Sequence, residues 1–321
     1  MSERKTISLA MNDSPRVATA TVERVRAAAR RIGYRNDPGL ARLAELRWSD
    51  RRKPVEPTLA LVMEQQRPDL AEAAIARAAA LGYRCEWFDP ARFPSPESLA
   101  RMLRARGIRG LLVRFRPEDR VMAEFPLAGF LSVAFGEGDD RPVRMVVRYN
   151  RHQMMADAWA HLWDAGARRI GALLWPLTTR GDWMEHDSFR RCQTLYGAEA
   201  IPPIFIDHRH DEKEVERIHA KNHTDAWITV RATQAEQIHR ITGIDRHRIV
   251  TRTVEPHESR EARRFPRHRM PVRRLAVRAV DMLDTLLRHR DKEPSPDGEH
   301  EALVLTPEWT IPDCGRPTAD A

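Results

Sequence analysis

Apolar positions along the chain change their spacing near residue 57. Before that point the pattern is helical. Residues 6–11 read as a short helix, and Asn12, Asp13, Ser14 and Pro15 have the chemistry of a turn. Val22, Val25, Ala29 and Ile32 then line one face of a helix over 19–32 that Gly33 stops. Asp37 and Pro38 open a further short helix over 39–46, and 49–54 reads as a linker.

Beyond residue 57, short apolar runs alternate with amphipathic stretches. Strands are expected at 59–63, 84–88, 110–113, 130–135, 170–175, 204–206, 226–230 and 248–254. Helices are expected at 70–81, 96–105, 152–165, 188–196, 212–219, 233–241 and 272–287. Strand and helix alternating at this spacing argue for parallel sheets flanked by helices, so the fold class is α/β. The pattern restarts at 170, which argues for two similar lobes. Residues 292–299 have a disordered composition, and no internal repeat is evident.

Charge sharpens this division. The chain carries a formal net charge of +8, and residues 1–54 hold 13 Lys/Arg against 6 Asp/Glu. The remainder is almost balanced, with 41 basic and 40 acidic residues. A compact basic module on a nearly neutral body is the footprint of a polyanion-binding head, although a solvated basic tail would give the same count. No run approaches the roughly 18 apolar residues of a membrane helix, and the first residues lack a secretory apolar stretch, so a cytoplasmic location is expected. Cys85, Cys192 and Cys314 lie far apart with no metal or disulfide spacing and are expected to be reduced.

Catalytic signatures are lacking: there is no Walker loop, no G-x-S-x-G and no G-x-G-x-x-G after a strand, so an enzyme is not expected. The run Asp207-His208-Arg209-His210-Asp211-Glu212 follows no known metal signature. The two RHR triplets at 246–248 and 267–269 suggest that histidine is simply frequent on this surface. No metal or cofactor is expected.

The segment TISLAMNDSPRVATATVERVRAAARRIGYRNDPGLARLAEL, which begins at Thr6, carries a resemblance. Asn12, Arg16-Val17, Arg24-Val25, Ala27-Ala28-Ala29, Gly33-Tyr34 and Leu43 fall in the order and spacing of the lac repressor (LacI/GalR) family headpiece, which this segment resembles. The resemblance implies a recognition helix with Arg4 and Lys5 aimed at base edges or phosphates. It places Thr6, Ser8, Asn12, Arg16 and Tyr34 among the DNA-binding residues, with Thr6, Ser8 and Asn12 on the phosphate backbone, and has Ile7 and Ala10 pack inward. Leu43 matches the family's minor-groove wedge on the hinge helix, with Leu40 beside it; the alternative is that both form an apolar face packed on the body. Two departures stand out. The chain begins at the recognition helix, which implies either an upstream start or a truncated headpiece with weakened DNA binding. Ala18 replaces a capping serine that Thr19 or Thr21 would have to substitute.

The body resembles the same family more loosely, through LARMLRARGIRGLLVRF from Leu99, HLWDAGARRIGALL from His161, RLAVRAVDMLDTLL from Arg274 and the closing EWTIPDCGRP. The implied organisation is a truncated helix-turn-helix headpiece with hinge helix at 1–48, a linker at 49–56, and a two-lobed periplasmic-binding-protein-like domain at 57–321. Its two Rossmann-like sheets would occupy 57–149 with 263–294, and 150–262 with 295–321, with crossovers near 150, 262 and 295. Ligands of such folds bind in the crevice beyond the carboxyl ends of the strands. The family's polar ligand positions fall here at Tyr149, Glu185, Arg231-Ala232 and Thr253, which does not suit a simple sugar. Arg180, Trp183, Glu185, His186 and Arg231 either form an aromatic and charged pocket or lie on the surface of a domain that only dimerises. The implied function is a homodimeric, sequence-specific DNA-binding repressor controlled by a small effector. The alternative is a family member that binds ligand or dimerises without binding DNA.

Overall fold

The computed structural model describes residues 18–31, 57–63, 68–114, 124–136, 143, 145–206, 212–254, 259–288 and 301–312. The chain divides between Val55 and Glu56 into two units. In the first, helix α1 spans Thr19–Arg31, as its apolar spacing predicts. The expected helices at 6–11 and 39–46 lie outside the described residues, as do Arg4, Lys5, Thr6, Ser8, Asn12, Arg16, Tyr34, Leu40 and Leu43.

The second unit holds two six-stranded sheets. The first is built from β1 (Thr58–Val62), β2 (Arg84–Phe88), β3 (Gly110–Val113), β4 (Leu131–Phe135), β5 (Met145–Tyr149) and β11 (Glu301–Leu305), in the order β11-β5-β4-β3-β1-β2. Every pairing in it is parallel. Parallel sheets are buried on both faces, and β1 shows how the sequence meets that demand. Leu59 and Leu61 point into one cluster with Ala73, Ala74, Leu275, Ala279 and Leu283, while Ala60 and Val62 point into another with Leu99 and Leu103. The covering helices are α2 (Pro68–Ala80), α3 (Pro96–Ala105) and α8 (Val272–Arg288). Ser95 caps α3 in a capping box with Ser98, and Pro96 occupies its first turn.

The second sheet has the order β12-β10-β9-β8-β6-β7 and comprises β6 (Ile170–Leu174), β7 (Ile204–Phe205), β8 (Ala226–Thr229), β9 (Ile249–Val254), β10 (Arg267–Met270) and β12 (Glu308–Thr310). Its pairings are parallel except for β10 with β12. Helices α4 (Arg151–Asp164), α5 (Arg180–Leu195), α6 (Glu212–Asn222) and α7 (Ala232–Thr242) belong to this half. Its core centres on Trp159, Phe189 and Trp227, all fully buried. A side chain at Gly171 would place its Cβ 2.8 Å from the Trp227 ring, so glycine there gives the indole its seat.

Several expectations need correction. β5, β10 and β11 were not foreseen, and α5 starts at Arg180 instead of 188. The first passage between sheets lies at Asn150. β10 still belongs to the second sheet, so the second passage follows Met270 instead of lying near 262. β11 belongs to the first sheet, so the third lies between Leu305 and Glu308 and not near 295. The chain leaves β5, β10 and β11 at their carboxyl ends. All three passages therefore run beside the carboxyl edges of both sheets. Among the described residues, no helix is long and apolar enough to cross a membrane.

Candidate functional site

The carboxyl edge of the second sheet carries a buried charge cluster. Asn150, the residue after β5, accepts from the Gln153 backbone N–H at 3.0 Å and so caps α4. This cap fixes Arg151 as the first residue of the helix, where its side chain is 4% exposed. Helix α5 begins with a second capping box, in which the Thr179 hydroxyl accepts from the Asp182 N–H and the Asp182 carboxylate accepts from the Thr179 N–H. One turn further on, Glu185 faces inward.

One oxygen of Glu185, Oε2, accepts from Arg151 Nη1 at 2.5 Å and from Arg252 Nη2 at 3.1 Å. Arg252 lies near the end of β9 and also donates through Nε to the Val230 carbonyl, just past β8, at 3.3 Å. Its guanidinium thus spans the ends of two neighbouring strands. Glu185 and Arg252 are 8% and 9% exposed at their side chains. Desolvating charges this completely is costly unless they are paired, so two guanidinia sharing one carboxylate form a tightly coupled unit. Gly181 makes room for it: a Cβ there would stand 3.0 Å from Arg151 Nε.

A histidine continues the network. His268 on β10 pairs in register with Arg252 on β9 and donates to Asp157 Oδ2 at 3.3 Å, with its ring centroid 4.6 Å from that of Trp309. Burial pushes the His268 pKa down, more strongly than Asp157 raises it, and Arg252 adds to the depression. The hydrogen bond from His268, with a second from Gln153, holds the Asp157 carboxyl below its ordinary range. The reading of 267–269 as surface histidine and arginine is therefore corrected: Arg267 and His268 are 6% and 2% exposed, because β10 is an interior strand between β9 and β12.

The structure places the expected effector residues unevenly. Glu185 joins Arg151 and Arg252. Arg231, after β8, stacks its guanidinium over Trp175 at 4.4 Å, and its pKa is lowered first by burial and then by the charge of Arg252. Trp183 and His186 lie one turn apart on α5 and form an aromatic file with Phe205, in which Trp183 is 51% exposed. Tyr149 is buried in the core of the first sheet, beside Met154 and Leu305. Thr253 is buried on β9, and strand alternation turns it to the opposite face from Arg252. The Arg180 side chain lies outside the described residues, as do residues 207–211. Glu212 pairs with Arg240.

Among the described residues, no group of three or more His, Cys, Asp or Glu could hold a metal ion. Cys85 and Cys192 are free and buried, with burial raising the thiols to about 12 and about 11. Thiols in that state are inert packing groups.

No family model and no curated protein matches the sequence. Solved structures do match. A transcriptional regulator CelR in complex with cellobiose has a TM-score of 0.63 at 17% identity over 96% of this chain and 94% of that one. A lac repressor dimer bound to operator and the anti-inducer ONPF has a TM-score of 0.63 at 15% identity, over 96% and 93%. The chain has the LacI-type fold. A LacI-family regulatory protein from Chloroflexus aggregans, with TM-score 0.63 and 16% identity, covers 80% of this chain and 98% of that one. Within this LacI-type frame, Arg151, Arg252 and His268 were missed by sequence reasoning. The available signal was a charged residue inside the otherwise uncharged strand IVTRTV.

Proposed function

We propose that this chain is a transcriptional regulator, a repressor, that binds a DNA site as a homodimer and changes its affinity when a small effector enters the crevice at the carboxyl edges of the two sheets. The observation that carries the reading is the extent of the structural likeness. Alignment with a repressor dimer bound to its operator runs over 96% of this chain. The concentration of positive charge in residues 1–54 supports the same role. In this reading residues 1–48 form the headpiece and 57–321 the effector and dimerisation body. Arg4 and Lys5 contact bases or phosphates, Thr6, Ser8 and Asn12 hold the phosphate backbone, Arg16 and Tyr34 belong to the same DNA-binding set, and Leu43, with Leu40, opens the minor groove. An effector couples to DNA only by binding the two lobe arrangements with different affinity, so the passages at Asn150, Met270 and 306–307 are the hinges.

Fluorescence anisotropy with fragments tiling the DNA upstream of the chain's own gene tests this, beside the Arg4→Gln/Lys5→Gln double variant. One fragment is expected to bind far more tightly than the rest, and the variant to lose that preference. Equal binding to all fragments, or a variant that retains the preference, would overturn the assignment. The second reading, a ligand-binding or dimerisation protein without DNA binding, would then stand, since the buried charge cluster belongs to the body alone.

A further inference from the structure

We propose that the effector is an anion, its carboxylate or phosphate group bound by Arg252 and Arg231 at the carboxyl edge of the second sheet. This inference rests on the regulator reading for the word effector, and on the charge cluster for the binding itself.

Glu185 is a carboxylate that Arg151 and Arg252 share, and Arg231 lies close enough for the charge of Arg252 to depress its pKa. The nearby acids are already committed. Asp182 accepts from Thr178 and Thr179 at the start of α5, and Asp157 accepts from His268 and Gln153. His268 cannot supply the missing negative charge, and its depressed pKa keeps it from adding a positive one. Among the described residues, Arg231 has no carboxylate of its own and Arg252 has the one it shares with Arg151.

The decisive observation is Arg252 itself. Its side chain is 9% exposed, Nε and Nη2 are satisfied by Val230 and Glu185, and buried Nη1 has no acceptor among the described residues. A buried charged donor without a partner is expensive in a folded protein, and a guanidinium presents its N–H groups as a fork that fits two oxygens of one anion. Arg231, exposed and laid flat on Trp175, is the second cation at the same strand ends. The indole fixes the plane of this guanidinium, and among the described residues no acceptor engages its N–H groups. A neutral polyol would leave this charge excess in place. An anion removes it.

The test is thermal unfolding of the full chain titrated with inorganic phosphate and, separately, acetate, against chloride at equal ionic strength and glycerol as a neutral control. Saturable stabilisation is expected with at least one of the two anions, amounting to about 3 °C at ten times its Kd. Which anion is preferred distinguishes a phosphate from a carboxylate ligand. The shift should vanish in Arg252→Gln and shrink at least fivefold in apparent affinity in Arg231→Gln, whose exposed side chain leaves folding intact. Arg190→Gln/Arg191→Gln, on the far part of α5, should respond like the parent. Stabilisation no greater than with chloride, or an equal shift in Arg252→Gln and Arg231→Gln, would overturn the proposal. DNA binding by the same samples separates the two claims. Arg252-dependent anion binding without any discrete DNA site sinks the regulator reading alone, and a discrete DNA site without anion binding sinks the anion alone.

Discussion

Replacing Glu185 by glutamine removes the carboxylate that Arg151 and Arg252 share while preserving the size of the side chain. Arg252, 9% exposed at its side chain, then loses the carboxylate it shares with Arg151, itself 4% exposed. Breaking a buried pair in this way costs about 3–5 kcal/mol, because the surviving charge is stranded and not merely unpaired at the surface. In a body of this size that corresponds to a fall in Tm of roughly 10 °C. Arg252→Gln has a different expected cost. It leaves a one-to-one Arg151–Glu185 pair and removes the unpartnered Nη1, so the loss should stay within about 2 kcal/mol, the worth of the hydrogen bonds to Glu185 and Val230. Urea and thermal unfolding of both variants, with the double variant closing the cycle, measure this ordering directly. If Glu185→Gln costs under about 1 kcal/mol, or less than Arg252→Gln, the cluster is solvated and the charge argument fails.

Other outcomes follow from neighbouring geometry. Gly181→Ala sets a Cβ 3.0 Å from Arg151 Nε and should cost about 1–3 kcal/mol by displacing that guanidinium, as read in the same unfolding assay. Because the folded-state pKa of His268 lies below its unfolded value of 6.5, the unfolded chain binds the extra proton first, and stability should fall as pH drops below 6.5. The depressed Asp157 adds a further loss as pH falls below its unfolded value of 3.8. His268→Gln should flatten the first of these steps, and an unchanged Tm profile between pH 7 and 5 would count against the buried neutral imidazole. Specific DNA binding through about six or more phosphates should weaken roughly a thousandfold between low and physiological salt, and a flat titration would exclude a phosphate-dominated interface.

Much of the fold was legible because burial on both faces writes itself as short apolar runs. β2, β3 and α3 fall at the residues their patterns predict, since Gly82, Pro96 and Gly107 punctuate them. The strands that escaped notice carry charge. β5 contains Arg148 and β10 reads RHRM, and such residues look like surface until the topology places them inside a sheet at its carboxyl edge. β11 lies at the edge of its sheet and buries only Leu305, so it has little apolar content to show. The true start of α5 was hidden by the mostly polar stretch 180–187, whose apolar content is Trp183 and Met184, although Thr179 and Asp182 have the spacing of a capping box. For the same reason the site was half visible. Glu185 and Arg231 were flagged as departures from a sugar-binding pattern, but their partners Arg151 and Arg252 are joined to them only by tertiary structure, across 34 and 67 residues from Glu185.

The central claim is a DNA-binding regulator, and nuclease protection of the region upstream of its own gene, with the purified full chain, tests it most directly. The account predicts one discrete protected segment with two-fold related halves that disappears as salt is raised. Uniform protection, or none at any protein concentration, would contradict it.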